Sequence, residues 1–327
     1  MTEETLIVAD IGGTNARFAI ADLRTKELSR LASYKTNGFR DLEGALGAYL
    51  ITLDETAPRQ IAIGAAGPFA SGKIHLTNID WTIDPASLSH AFGLDTKVLT
   101  NDLVALAAGI AQAPQAAFLA LGDPQVRGAF RTLVISVGTG LGVAWCERRD
   151  QAVMVHPTEA GHMTFAPVDD TGFRLVSDAA RYGRTLSFES LISGAGIKFV
   201  YSELRGLGPA FENSEAIFLA AESGGNQAAR DALALVTSSL ATFAQDLMHA
   251  LGGVDEIIFA GGLGRRLRRQ LQSEKFLKEL RAARGGTLDF SEVGARLALD
   301  DRLPLFGALH LALGTVEFDH PRMTDPK

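Results

Sequence analysis

The chain has 327 residues, 46% of them hydrophobic, and a formal net charge of −7. That length and content allow about two domains, each with its own core, and the acidic balance argues against a general nucleic-acid surface. The single cysteine, Cys146, excludes an intrachain disulfide and a cysteine-cluster metal site, and fits a reducing cytoplasm.

Met1–Thr5 is acidic and lacks the basic n-region of a signal peptide. A strand is predicted over Leu6–Ala9, followed by Asp10, a turn through Gly12-Gly13-Thr14 and a second strand over Arg17–Ala21. Glycines let backbone N–H groups come close to a polyphosphate. Asp10 stands where a carboxylate would help hold a phosphate-bound Mg²⁺, directly or through water. A plain hairpin with a Gly-Gly turn reads the same way. The turn leads into a strand and carries no GxxxxGK[ST], which excludes a P-loop and a Rossmann fingerprint. Next come a helix over Asp41–Asp54, strands over Gln60–Ala66 and Lys73–Leu76, a helix over Pro85–Phe92 and a strand over Lys97–Thr100. Asn101-Asp102 then opens a helix over Leu103–Ala113. Both residue types are preferred helix caps, and a carboxylate placed there also suits a general base.

Gly122-Asp123-Pro124 marks a loop. From Arg131 the hairpin pattern recurs: an apolar strand, a turn at Gly138-Thr139-Gly140, and another apolar strand. Two such hairpins suggest two similar halves, each with a phosphate-facing turn. Glu159 and His162 are three apart, without HExxH spacing or a third ligand nearby, so they do not read as a zinc site. Pro167–Gly183 and Ser187–Leu204 read as helical, which puts Glu189 in a first helical turn where its charge complements the dipole. Ala232–Leu251 is the most hydrophobic long segment, but Thr237, Ser238, Ser239, Gln245 and Asp246 interrupt it. It reads as part of a buried helix over Asn226–Leu251, stopped by Gly252-Gly253, and not as a membrane span. Asp255–Ala260 is a strand that ends in Gly261-Gly262, with a helix from Arg265. Glycines at such a turn leave room for a nucleotide or permit tight helix–strand packing. The run Arg265, Arg266, Arg268, Arg269 reads as a solvated face. Alternating strands and helices make this an α/β chain.

In this order the motifs resemble the bacterial glucokinase family of the actin-like, hexokinase-like sugar kinases. They are Ala9–Arg17, Leu76-Thr77-Asn78, Thr100-Asn101-Asp102, Gly138–Ala144, Glu159–Pro167, Glu189 with Ser193–Gly196, Ala260-Gly261-Gly262 and Leu305–Ala308. The resemblance implies two actin-like (ribonuclease H-like) α/β domains flanking an interdomain cleft, each with a phosphate-binding β-hairpin. Residues 1–112 would form the small domain, 113–303 the large one, and 304–327 a helix packing back on the small domain plus a frayed tail. The implied activity is ATP-dependent phosphorylation of D-glucose at the 6-hydroxyl, with Asp102 as general base. Asn78, Asn101, Glu159, His162 and Glu189 would contact the sugar. MgATP would lie on Ala9, Asp10, Ile11, Gly12, Gly13, Thr14 and Asn15 and on Gly138, Thr139 and Gly140, its nucleoside toward Gly261 and Gly262, with no metal site of the protein's own. A cytoplasmic homodimer is implied as well.

The chain departs from the family pattern at Thr158 and Ala160, where glycines are usual, at Ser190 for an arginine and at Ala195 for a proline. These keep open a kinase for mannose, fructose or an amino sugar, or a sugar-sensing relative. A DNA-binding repressor would need a helix-turn-helix extension and a Cys/His zinc cluster, which one cysteine cannot supply. An actin-like filament protein would not need the Asn-Asp and Glu-x-x-His set.

Overall fold

The computed structural model describes residues 4–53, 57–76, 78–122, 129–150, 152–282, 285 and 288–319; Thr77, Asp123-Pro124 and the tail from 320 lie outside them. The chain opens with β1 (Thr5–Ile11), β2 (Asn15–Asp22), β3 (Leu28–Lys35), α1 (Leu42–Ile51) and β4 (Gln60–Ala65). Short strands β5 (Phe69–Ala70), β6 (Lys73–His75) and β7 (Thr82–Ile83) precede α2 (Pro85–Phe92), β8 (Asp95–Asn101) and α3 (Asp102–Gln112). Then come β9 (Phe118–Ala120), β10 (Arg131–Val137), β11 (Leu141–Arg149), β12 (Ala152–Thr158), α4 (Asp170–Arg181), α5 (Gly194–Leu204), α6 (Ser214–Glu222) and α7 (Gln227–Ala250). The rest is β13 (Glu256–Ala260), α8 (Gly262–Arg266), α9 (Arg268–Leu271), α10 (Glu274–Arg281), β14 (Gly294–Ala298), α11 (Leu303–Ala312) and β15 (Glu317–Phe318). These elements form two compact units, one of Met1–Gln115, Ala144–Pro157 and Asp300–Lys327, the other of Ala116–Val143 and Thr158–Leu299.

In the first unit the sheet runs β3-β2-β1-β4-β8. β1 is antiparallel to β2 and parallel to β4, which is parallel to β8. The strands of β1 and β4 are apolar without alternation because both faces are covered. Ile7, Ile61 and Ile63 pack with Leu42, Leu46, Tyr49 and Leu88 on one side. Leu6, Val8 and Ala62 pack with Leu305, Ala308 and Leu309 of α11 on the other. Helices α3 and α11 meet backbone to backbone. A β-carbon on Gly109 would fall 1.9 Å from the Leu303 oxygen, and one on Gly307 would fall 1.7 Å from the Ala105 oxygen.

In the second unit β10, β13, β14 and β9 are neighbours in that order. The first three are parallel and β9 is antiparallel. Helix α7 is buried along most of its length; two of its buried polar residues bond to main-chain carbonyls, while the Ser239 hydroxyl has no partner among the described residues. Thr237 donates to the Leu233 carbonyl at 2.6 Å, and Gln245 donates to the carbonyls of Glu279 and Ala282. Asn226 caps it, and Gly252 and Gly253, at φ 69° and 102°, turn the chain out of it. Among the described residues no helix is long and apolar enough to cross a membrane.

One expectation is corrected. The helix read from Ser187 begins at Gly194, so Glu189 lies in a turn before α5 and not in its first turn. Ser187 and Ser190 form a local hydrogen-bonded loop: the Ser190 hydroxyl accepts from Ser187 N–H at 3.0 Å, and the Ser187 hydroxyl accepts from Ser190 N–H at 3.3 Å. Such bonds compete with helix formation. Ser193 then caps the helix by accepting from Gly196 N–H at 2.9 Å.

Candidate active site

Register builds the hairpin of the first unit. Asp10 stands opposite Arg17 and Ile11 opposite Ala16, leaving Gly12-Gly13-Thr14 as the turn. The Asp10 carboxylate, with 14% of its side chain exposed, accepts from Arg17 Nη1 at 3.0 Å. Burial pushes its carboxyl up from the ordinary range; Arg17 opposes this by charge and hydrogen bond, Asp301 adds to the rise, and the net shift is upward. Thr36, which is buried, fixes the turn from behind. Its N–H donates to Thr14 O at 3.1 Å and its hydroxyl to Gly13 O at 2.8 Å. Gly12 N–H donates to Asn15 O at 2.9 Å, while no described residue accepts from the N–H groups of Gly13 or Thr14. Those two donors suit a phosphate. Ala9 and Ile11 are buried and can offer only backbone. Asn78 lies against the turn: a β-carbon on Gly13 would fall 2.9 Å from Asn78 Cβ.

Parallel pairing brings Ile11, Ala65 and Asn101 side by side at the carboxyl edge of this sheet, the edge where open α/β sheets bind ligands. Asn101 caps α3, its Oδ1 accepting from Leu103 N–H at 2.8 Å, and its Nδ2 donates to Gly67 O at 3.2 Å. One amide proton and one oxygen lone pair remain for a ligand. Asp102 is the first helical residue, half-buried, where the helix dipole favours a negative charge.

In the second unit Gly138 N–H donates to Gly140 O at 2.9 Å, closing the turn, and Gly138 O accepts from Gly194 N–H at 3.0 Å. A β-carbon on Gly138 would meet nothing within 4 Å. Pairing of Ser136 with Ala260 sets Gly261-Gly262 at the same sheet edge as this turn. Gly261 must be glycine twice over: its φ is 86°, and a β-carbon would fall 2.3 Å from Val137 O. The exposed Thr139 side chain stands on the turn between its two glycines.

Glu159, His162 and Glu189 converge in this unit. His162 Nε2 is 3.7 Å from Glu159 and its Nδ1 is 3.9 Å from Glu189. Both separations exceed hydrogen-bond length, which leaves acceptor capacity on the carboxylates for hydroxyl donors. Glu159 is 89% exposed and Glu189 33%. Thr158 contributes a bond of its own, its hydroxyl accepting from Ala160 N–H at 3.1 Å.

Three supporting residues escaped the sequence reading. Arg17 follows from the strand register, which sets it opposite Asp10 across the hairpin. Thr36 gave no signal; it reaches the turn from a single 3₁₀ turn, Thr36–Gly38. Nor did Leu141, which matters only through its backbone N–H, a donor to Glu189 Oε2 at 2.8 Å.

A family model described as Glucokinase matches residues 7–314. The chain belongs to the glucokinase family. A glucokinase of Caulobacter sp. (strain K31) is 30% identical over 309 residues, covering 92% of this chain and 93% of that protein. A crystal structure of glucokinase from an Antarctic psychrotroph superposes with a TM-score of 0.80 at 26% identity, over 96% of this chain and 100% of that one. A ROK family glucokinase from Streptomyces griseus, solved with glucose and AMPPNP, shares the fold with a TM-score of 0.65 at 21% identity, over 95% and 99% of the two chains. The two units are therefore the actin-like α/β domains of a glucokinase, each with a glycine-containing hairpin at the end of its sheet.

Proposed function

We propose that this member of the family transfers the γ-phosphoryl group of ATP to the 6-hydroxyl of D-glucose, giving glucose 6-phosphate and ADP. The observation that carries the reading is the repeated hairpin turn at a sheet's carboxyl edge, together with carboxylates that are exposed or half-buried. The first turn offers the N–H groups of Gly13 and Thr14, and the second offers open space beside Gly138, both of which suit a phosphate. Mg²⁺ would arrive on the nucleotide, with Asp10, beside the first turn, placed to steady it. Bound there, Mg²⁺ supplies neutralisation of the charge that develops on the transferred group.

The chain's own groups do the rest. Glu159, His162 and Glu189 hydrogen-bond the sugar hydroxyls, with Asn78 and Asn101 in support. Asp102 takes the proton of the 6-hydroxyl as its oxygen attacks phosphorus and the bond to the ADP oxygen breaks. Ala9–Asn15 and Gly138–Gly140 hold the phosphates, with Gly261 and Gly262 at the nucleoside end. Rate acceleration on this reading is mainly positioning and electrostatic stabilisation. Family resemblance supports a homodimer, and the single cysteine fits a reducing cytoplasm.

An ADP-release assay across glucose, mannose, fructose and amino sugars tests the substrate. Glucose is expected to turn over fastest. Glucose no faster than buffer, with rapid turnover of another sugar, would overturn the assignment and point to Thr158 and Ser190 as the altered surroundings.

A further inference from the structure

The first residue of β11 is gripped on both of its backbone groups by the segment that carries the sugar candidates. Leu141 N–H donates to Glu189 Oε2 at 2.8 Å. Leu141 O lies so near Gly161 that a β-carbon there would fall 1.9 Å from it. Gly161 O accepts in turn from Glu189 N–H at 3.0 Å. Glu189 is thus tied by side chain and main chain into one small network. Leu141 directly follows the Gly138-Thr139-Gly140 turn, and a β-carbon on Gly140 would fall 2.5 Å from Glu189 Oε2. One carboxylate oxygen is therefore committed to the phosphate turn, while the other, Oε1, faces His162.

We propose that Glu189 braces the phosphate turn through Leu141 and thereby couples sugar binding to nucleotide binding within the second unit. The inference rests on the glucose-kinase reading for the identity of the two ligands. A carboxylate accepting from a backbone N–H makes a charge-assisted bond, and without it the Leu141 N–H at the end of the turn loses its partner. A sugar hydroxyl on Oε1 fixes the carboxylate's rotamer and so holds Oε2 on Leu141. A nucleotide then meets a turn that is already ordered and spends less on ordering it. Linkage makes the effect reciprocal: nucleotide on the turn holds Glu189 ready for sugar.

Calorimetric titration of AMPPNP into wild type, Glu189→Ala, Glu189→Asp and Glu189→Gln, with and without saturating glucose, tests this. Thermal melting checks that each variant is folded. Without sugar, Glu189→Gln keeps an oxygen that can accept from Leu141 and should stay within about threefold of wild type, whereas Ala and the retracted Asp should each lose about tenfold. In wild type, glucose should tighten AMPPNP; in Glu189→Ala that effect should vanish. A residue that only touches sugar leaves sugar-free AMPPNP affinity equal in all four proteins, and that result overturns the brace. If Glu189→Ala does not fold, Asp against Gln decides alone. Should wild type fail to phosphorylate glucose while the sugar-free order of affinities holds, the substrate assignment falls and the brace stands. Should wild type phosphorylate glucose with four equal affinities, the brace falls and the assignment stands.

Discussion

Asn101 and Asp102 are adjacent residues of the kind that cap helices, and in this chain they take different positions. Asn101 makes the cap and Asp102 is the first helical residue. Asp102→Asn should therefore leave α3 capped and the fold intact, while removing the charge and the proton acceptor. Turnover is expected to fall by about 10²–10⁴-fold with sugar affinity retained. Paired measurement of kcat and of glucose binding checks this, and a near wild-type rate would place the base elsewhere. Much at this scale was legible. Asp10, Asn101 and Asp102 lie at the carboxyl edge of the first sheet, and Glu159 and Glu189 each lie within 4 Å of His162. The supports were not legible, because Thr36 acts across 23 residues and Leu141 acts through main chain.

The helices and strands show where pattern reading succeeds. Long periodic segments with caps, such as α2 and α7, have the predicted type and nearly the predicted ends. β3 offered little, because four of its eight residues are polar or charged and five are exposed. The stretch before α5 misled because its helix-like apolar spacing is overridden by the Ser187–Ser190 bonds. The resemblance implied that the last helix packs back on the first domain, but not that it meets α3 through two glycines set against backbone oxygens. That contact positions the helix that begins at Asp102. Gly307→Ala would drive a methyl group into the Ala105 carbonyl, which lies 1.7 Å from its place. The expected cost is about 1–3 kcal/mol, the range for overpacking a core, read as a lowered Tm together with a lower kcat. An unchanged Tm would mean that α11 can shift away without penalty.

At the scale of the whole molecule, the α/β class and the two-hairpin plan follow from strand–turn–strand patterns that occur twice, and the solved glucokinases share the fold. Stability should carry a pH signature from His310, which is buried in α11. Thr315 donates its hydroxyl proton to His310 O, so its oxygen accepts from Nδ1–H at 2.8 Å. Burial, with Lys26 adding to it, lowers the proton affinity of the imidazole below that of a free histidine. The unfolded chain then binds the extra proton first, so stability is lost as pH falls from about 6.5 downward. Urea midpoints should drop between about pH 7.5 and about pH 5.5 in wild type, and less in His310→Asn. Equal drops in both would assign the effect to other groups. The activity itself is tested most directly by the product. After incubation with ATP, Mg²⁺ and ¹³C-labelled glucose, NMR should show phosphorus coupled to carbon 6, with ADP formed in equal amount. Phosphorus on another carbon, or ADP without a phosphorylated glucose, would contradict the account.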